Sequence, residues 1–156
     1  MAKKFKFQLQ PALDKAESDK EKAEHAVLAA RKELAAAEEK LRELQAIVEK
    51  TTQQIRTEHD NLTKPTDTPG SGNIYLQREE YIRALKVKLE RQKEAVVKQK
   101  AEVAWFQQRL DLRMSELKEA AARAQAIDKL RDKAIAEHKK EEDRRLQNEI
   151  DEAGMR

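Results

Sequence analysis

Apolar side chains recur every 3.5 residues along the first third of this chain. Starting at Leu9 and stepping alternately four and three residues lands on Leu13, Ala16, Lys20, Ala23, Val27, Ala30, Leu34, Ala37, Leu41, Leu44, Val48, Thr51, Ile55, Glu58 and Leu62. Only Lys20, Thr51 and Glu58 interrupt the stripe. A straight α-helix has 3.6 residues per turn, so a 3.5 repeat stays on one face only when the helix winds around a partner. A second stripe supplies that partner. It runs through Ile82, Leu85, Leu89, Val96, Val103, Phe106, Leu110, Leu117, Ala120, Ala124, Ile127 and Ala134, with Gln92, Gln99, Arg113 and Arg131 as polar steps.

Between the stripes lies Thr63–Asn73, where Pro65, Pro69, Gly70 and Gly72 stop helix propagation and allow the chain to reverse. The pattern predicts an all-α fold, a long two-helix antiparallel coiled-coil hairpin forming a single domain over 1–156. Its helices span about 8–63 and 74–150, and its tip spans 63–73. Pro11 fits the first turn of the first helix, where its missing N–H is not needed. The Gly-Ser-Gly of the tip lacks the preceding strand and following Lys-Ser/Thr of a phosphate loop and reads as a turn. With so short a tip, facing residue numbers sum to somewhere between 133 and 140, which sets bulky Phe106 against the small residues around Val27 and Ala30.

Composition agrees with a narrow seam instead of a broad core. Aromatic residues are 4% of the chain and charged residues 40%, and Gly and Pro number three each, so there is little to fill a globular interior and little to interrupt a helix. The net charge of +3 is spread over interleaved acids and bases, a pattern that disfavours nucleic acid. Lys3, Lys4 and Lys6 form a short basic end, solvated or docked on an acidic partner. With no cysteine, disulfides and thiolate metal sites are excluded. Phe5, Phe7 and Leu9 alternate with Lys and Gln instead of forming the apolar run of a secretory signal, and no stretch reaches the roughly 20 apolar residues of a membrane span. A cytoplasmic, unprocessed protein without membrane insertion is expected.

The arms are unequal. At about 1.5 Å per residue the first helix covers roughly 80 Å and the second roughly 115 Å, so the chain after about Arg131 is expected to project as a C-terminal helical overhang. Glu141 and Arg145 are spaced to pair along it, and Ile135, Leu146 and Ile150 are its sparse apolar residues. A lone helix held by such pairs frays unless a partner covers it, so the overhang is the first candidate for a binding element.

No chemistry is encoded. His25, His59 and His138 are far apart in sequence and lack metal-ligand spacing, Ser18, Ser71 and Ser115 have no base beside them, and carboxylates on exposed helix faces have no desolvated pocket to shift their pKa. Neither enzymatic activity nor a cofactor nor a metal is expected. Apolar surface off the seam remains. Trp105 in this register points away from the facing helix, as interface tryptophans do, unless a local stutter turns it inward or it folds along the helix surface. Ile74, Tyr75, Tyr81 and Ile82 beside the tip either cap the hairpin core or offer a docking site.

The opening Phe5-Lys6-Phe7-Gln8-Leu9, with Leu13 and Glu17, resembles the start of the flagellar export protein FliJ family, and Arg144-Arg145-Leu146-Gln147-Asn148-Glu149-Ile150-Asp151-Glu152-Ala153 resembles its ending. The resemblance implies a soluble component of the flagellar type III protein export apparatus, used in flagellum biogenesis and motility. Such a component is a stalk linking the hexameric export ATPase to the cytoplasmic linker of the export gate, peripheral at the base of the apparatus, with export chaperones as further partners. In that family the paired terminal helices enter the ATPase ring, which makes Phe5, Phe7, Leu9, Leu13, Leu146 and Ile150 the ATPase-contact candidates. Ala37-Glu38-Glu39-Lys40-Leu41-Arg42-Glu43-Leu44 resembles the family's gate-facing stretch and implies gate contacts at Leu44, Ile47, Tyr81 and Leu85. Trp105 is a further partner candidate. The alternatives are the equivalent stalk of a virulence type III secretion system and, from another class, a generic coiled-coil tether or holdase chaperone.

Overall fold

The seam read from the sequence organises the structure. The computed structural model describes residues 4–64 and 71–155. Two helices account for most of it: α1 over Gln10–Thr63 and α2 over Ser71–Gly154. They run antiparallel, since Asn61 contacts Arg78, Glu33 contacts Arg109 and Phe5 contacts His138. Among the described residues there is no strand. The tip expected over 63–73 falls largely on 65–70, outside the described residues.

Contacts divide the chain into two units. A termini unit combines Met1–Ala29 with Asp111–Arg156, and a central unit comprises Ala30–Leu110. In the termini unit Leu13, Ala16, Val27 and Ala124 are buried. In the central unit Ala30, Leu34, Ala37, Ile55, Ile82, Leu85 and Leu110 are buried, together with the polar Thr51 and Gln99. Every one of these lies on a predicted stripe, and the other stripe positions are at least half-buried except Leu9, which is exposed. Leu9 sits in the turn before α1, where its carbonyl accepts from the Leu13 N–H at 2.9 Å, so its side chain precedes the helical face.

Two polar ties fix the pairing in the central unit. Gln99 Nε2 donates to the Ala37 carbonyl at 2.9 Å. Arg78 Nη1 donates to the Asn61 carbonyl at 3.3 Å. The last four carbonyls of a helix lack intrahelical partners and carry partial negative charge, so a guanidinium from α2 caps the end of α1. These pairs have residue numbers summing to 136 and 139, within the expected range. The Glu33–Arg109 and Phe5–His138 pairs sum to 142 and 143, somewhat beyond it. Phe106 is half-buried on the central seam.

Two boundary expectations and one pairing change. Helix α2 begins at Ser71, not near Ile74, because the single Gly72 only weakens a helix and does not end it. The overhang does not begin at Arg131: Arg131, Ala134, His138 and Glu142 remain half-buried, and continuous exposure starts at Asp143. At Ala134 and His138 the segment before α1 supplies cover. The Arg145 partner is Glu142 at 3.6 Å, three residues back, and not Glu141.

Candidate partner-binding surfaces

Residues 4–8 precede α1 and have no helix of their own, so their side chains must find partners on α2. Phe5 packs on His138 with ring centroids 5.4 Å apart and planes tilted by 51°. Around this contact an open groove is lined by Lys4, Lys6 and Gln8 on one side and by Ala134, Glu137, Glu141 and Arg144 on the other. Both signs of charge line the helix side of this groove, with Lys140 beside the glutamates, and the ring contact gives the strap of residues 4–8 an apolar anchor. Extending the second stripe one step past Ala134 lands on His138, which is how the sequence alone signals this partner. His138 is therefore half-buried, in contrast to the exposed His25 and His59.

Beyond the strap, α2 continues bare. Leu146 and Ile150 are 60% and 57% exposed and lie four residues apart, hence on one face. Gln147 Nε2 donates to Asp151 Oδ1 at 3.2 Å, a local bond that props the last turns. Of the predicted ATPase-contact residues, Phe5 and Phe7 are half-buried and Leu9, Leu146 and Ile150 are exposed. Leu13 is 1% exposed, the most enclosed large side chain among the described residues. It serves the seam, and a partner reaches it only if the helices part.

The predicted gate-contact residues divide in the same way. Ile47 and Tyr81 are exposed, whereas Leu44 is half-buried and Leu85 is 5% exposed. Leu85 is a seam residue, since the 3.5 repeat that made it conspicuous also turns it inward. Nearby, Arg42 donates from Nε and Nη2 to Glu39 Oε2 at 3.1 and 2.6 Å. This bond, then the Glu39 charge, raises the guanidinium pKa.

Trp105 is 54% exposed, so no stutter buries it. Its edge meets Phe106 with centroids 5.0 Å apart at 75°, and Arg109 lies 5.5 Å over its ring. Arg109 also reaches Glu33 of α1 at 3.8 Å. The indole thus lies partly along the helix surface and keeps one side open.

Among the described residues, no group of three or more His, Asp or Glu side chains is arranged to hold a metal, and no helix is long and apolar enough to cross a membrane. The surfaces above offer contact and charge.

A family model described as YscO-like protein matches residues 4–156. The chain belongs to the YscO-like family. The solved structure of a YscO homolog from Chlamydia trachomatis, CT670, superposes with a TM-score of 0.80 at 25% identity, covering 97% of this chain and 94% of that one. None of the curated proteins matches the sequence. The family match associates the chain with type III secretion at the level of the YscO-like family and does not single out FliJ.

Proposed function

We propose that this YscO-like chain is the cytoplasmic stalk of a type III secretion apparatus, linking the hexameric export ATPase to the cytoplasmic linker of the export gate by binding both and catalysing nothing itself. The observation that carries the reading is the bare end of α2. From Asp143 onward every described residue is exposed, and Leu146 and Ile150 share a face just beyond the strap anchored by Phe5. Leaving two large aliphatic side chains in water forgoes about 1.5 to 3 kcal/mol each, a cost that a partner surface recovers. Phe5, which packs on His138 of α2, and Phe7 and Leu9 after it in the chain are the further ATPase-contact residues of this reading. Ile47 and Tyr81 are the gate-contact residues, with Leu44 at their margin. Export chaperones are further partners of the same apparatus.

The YscO-like match supports a type III secretion stalk, in its flagellar or its virulence-type form. The test is a chain ending at Glu142, mixed with the hexameric ATPase and, separately, with the gate linker. It should keep its helical melt and gate binding and lose the ATPase. Equal ATPase binding by the shortened and full chains would refute terminal insertion. Suppression of aggregation of unrelated clients, without ATPase binding, would support a holdase instead.

A further inference from the structure

In the central unit one flank of the seam carries more basic than acidic side chains. Its groove is lined by Gln45 and Val48 of α1 and by Lys93, Val96, Val97 and Lys100 of α2. Val48 and Val96 are seam residues with an exposed edge, and Val97 beside them is 67% exposed. Lys86, Lys93 and Lys100 are exposed and recur every seven residues, each directly after a seam residue (Leu85, Gln92, Gln99), so all three line the same flank.

In paired helices such flanking positions ordinarily carry opposite charges that meet across the seam. Here α1 supplies Thr52, Gln45 and Glu38, the residues directly after Thr51, Leu44 and Ala37, so one acid stands against three lysines. Lys93 pairs only with Glu90 of its own helix at 3.7 Å, and Lys86 and Lys100 enter no ion pair among the described residues. From Arg83 to Lys100, α2 carries seven cations against Glu90 and Glu94. The comparable groove of the termini unit has no such bias, since Glu17 and Asp128 line it with Lys20.

We infer that this groove docks an acidic amphipathic α-helix of a partner protein as a third strand, its apolar stripe on Val48, Val96 and Val97 and its carboxylates on Lys86, Lys93 and Lys100. The lysine spacing, about 10 Å per heptad, matches acidic residues repeating at the same interval on an incoming helix. A helix also satisfies its own backbone, whereas an extended peptide would find no sheet edge here to bond to. The valine floor separates this surface from a simple polyanion site, which needs cations alone. The ATPase and gate contacts proposed above do not enter the inference: Ile47 and Tyr81 directly precede the seam residues Val48 and Ile82, which puts them on the opposite flank.

The probe is a labelled peptide of about three heptads with Leu and Ile on one face and Glu flanking them, titrated by anisotropy into the full chain. The account expects saturable binding, helicity gained by the peptide, and a loss of about tenfold or more in K86E/K93E/K100E with an unchanged melt. Val97→Ser should weaken binding severalfold, and raising salt from about 50 to 200 mM should weaken it further without abolishing it. Absence of binding overturns the inference. So does equal binding of a peptide with the same composition but scattered apolar residues, or tighter binding of an oligonucleotide or anionic vesicles, either of which would mark a polyanion surface. Self-association of the chain that the triple variant abolishes would also overturn it, by assigning the groove to a second copy.

Discussion

Gln99 reaches across the seam of the central unit to hydrogen-bond the backbone carbonyl of Ala37 at 2.9 Å. The bond joins a side chain 3% exposed to a backbone atom whose position is set by α1 itself, so it discriminates between registers that the heptad repeat alone leaves equivalent. Gln99→Ala should lower stability by about 1 to 2 kcal/mol, from the lost bond and the space left behind, read as a urea midpoint shift at constant slope.

Gln92, one heptad away, is the contrasting case. Its Oε1 is buried and finds no partner among the described residues. Gln92→Leu should therefore raise the unfolding free energy by about 1 kcal/mol, measured by the same titration.

Leu13 and Leu146 separate seam from surface. Leu13→Ala should cost about 2 to 5 kcal/mol, because its side chain is enclosed. Leu146→Ala and Ile150→Ala should each stay within about 0.5 kcal/mol of the parent, as exposed substitutions do. Thermal melts of the three variants check both statements.

Phe5→Ala should release the strap from α2. The ring contact with His138 is worth about 0.5 to 1.5 kcal/mol, so the global melt changes little, while amide exchange across Ala134–Arg144 accelerates.

The seam was legible because burial along paired helices follows sequence spacing: Leu13, Val27, Leu34, Ile55, Ile82 and Leu110 all occupy predicted positions. The fold followed from that repeat and the Pro/Gly break. Three features were not legible. The strap has no periodicity, and although the second stripe carried one step past Ala134 reaches His138, no pattern in the sequence pairs it with Phe5. Its cover at Ala134 and His138 is part of why the overhang starts at Asp143 and not at Arg131. The basic flank disappears in a chain-wide charge of +3, because acids elsewhere cancel it, and emerges only when residues are sorted by their side of the seam. The candidate contacts came from a family resemblance, which does not separate seam from surface, so Leu13 and Leu85 joined Leu146 and Tyr81.

The stalk reading is tested most directly by placing a photo-crosslinking residue singly at Leu146, Ile150, Ile47 and Tyr81 in the full chain, with ATPase and gate linker both present. The account predicts that positions 146 and 150 capture the ATPase and that 47 and 81 capture the gate linker. Capture of the ATPase from 47 or 81, or of neither partner from 146 and 150, would contradict it.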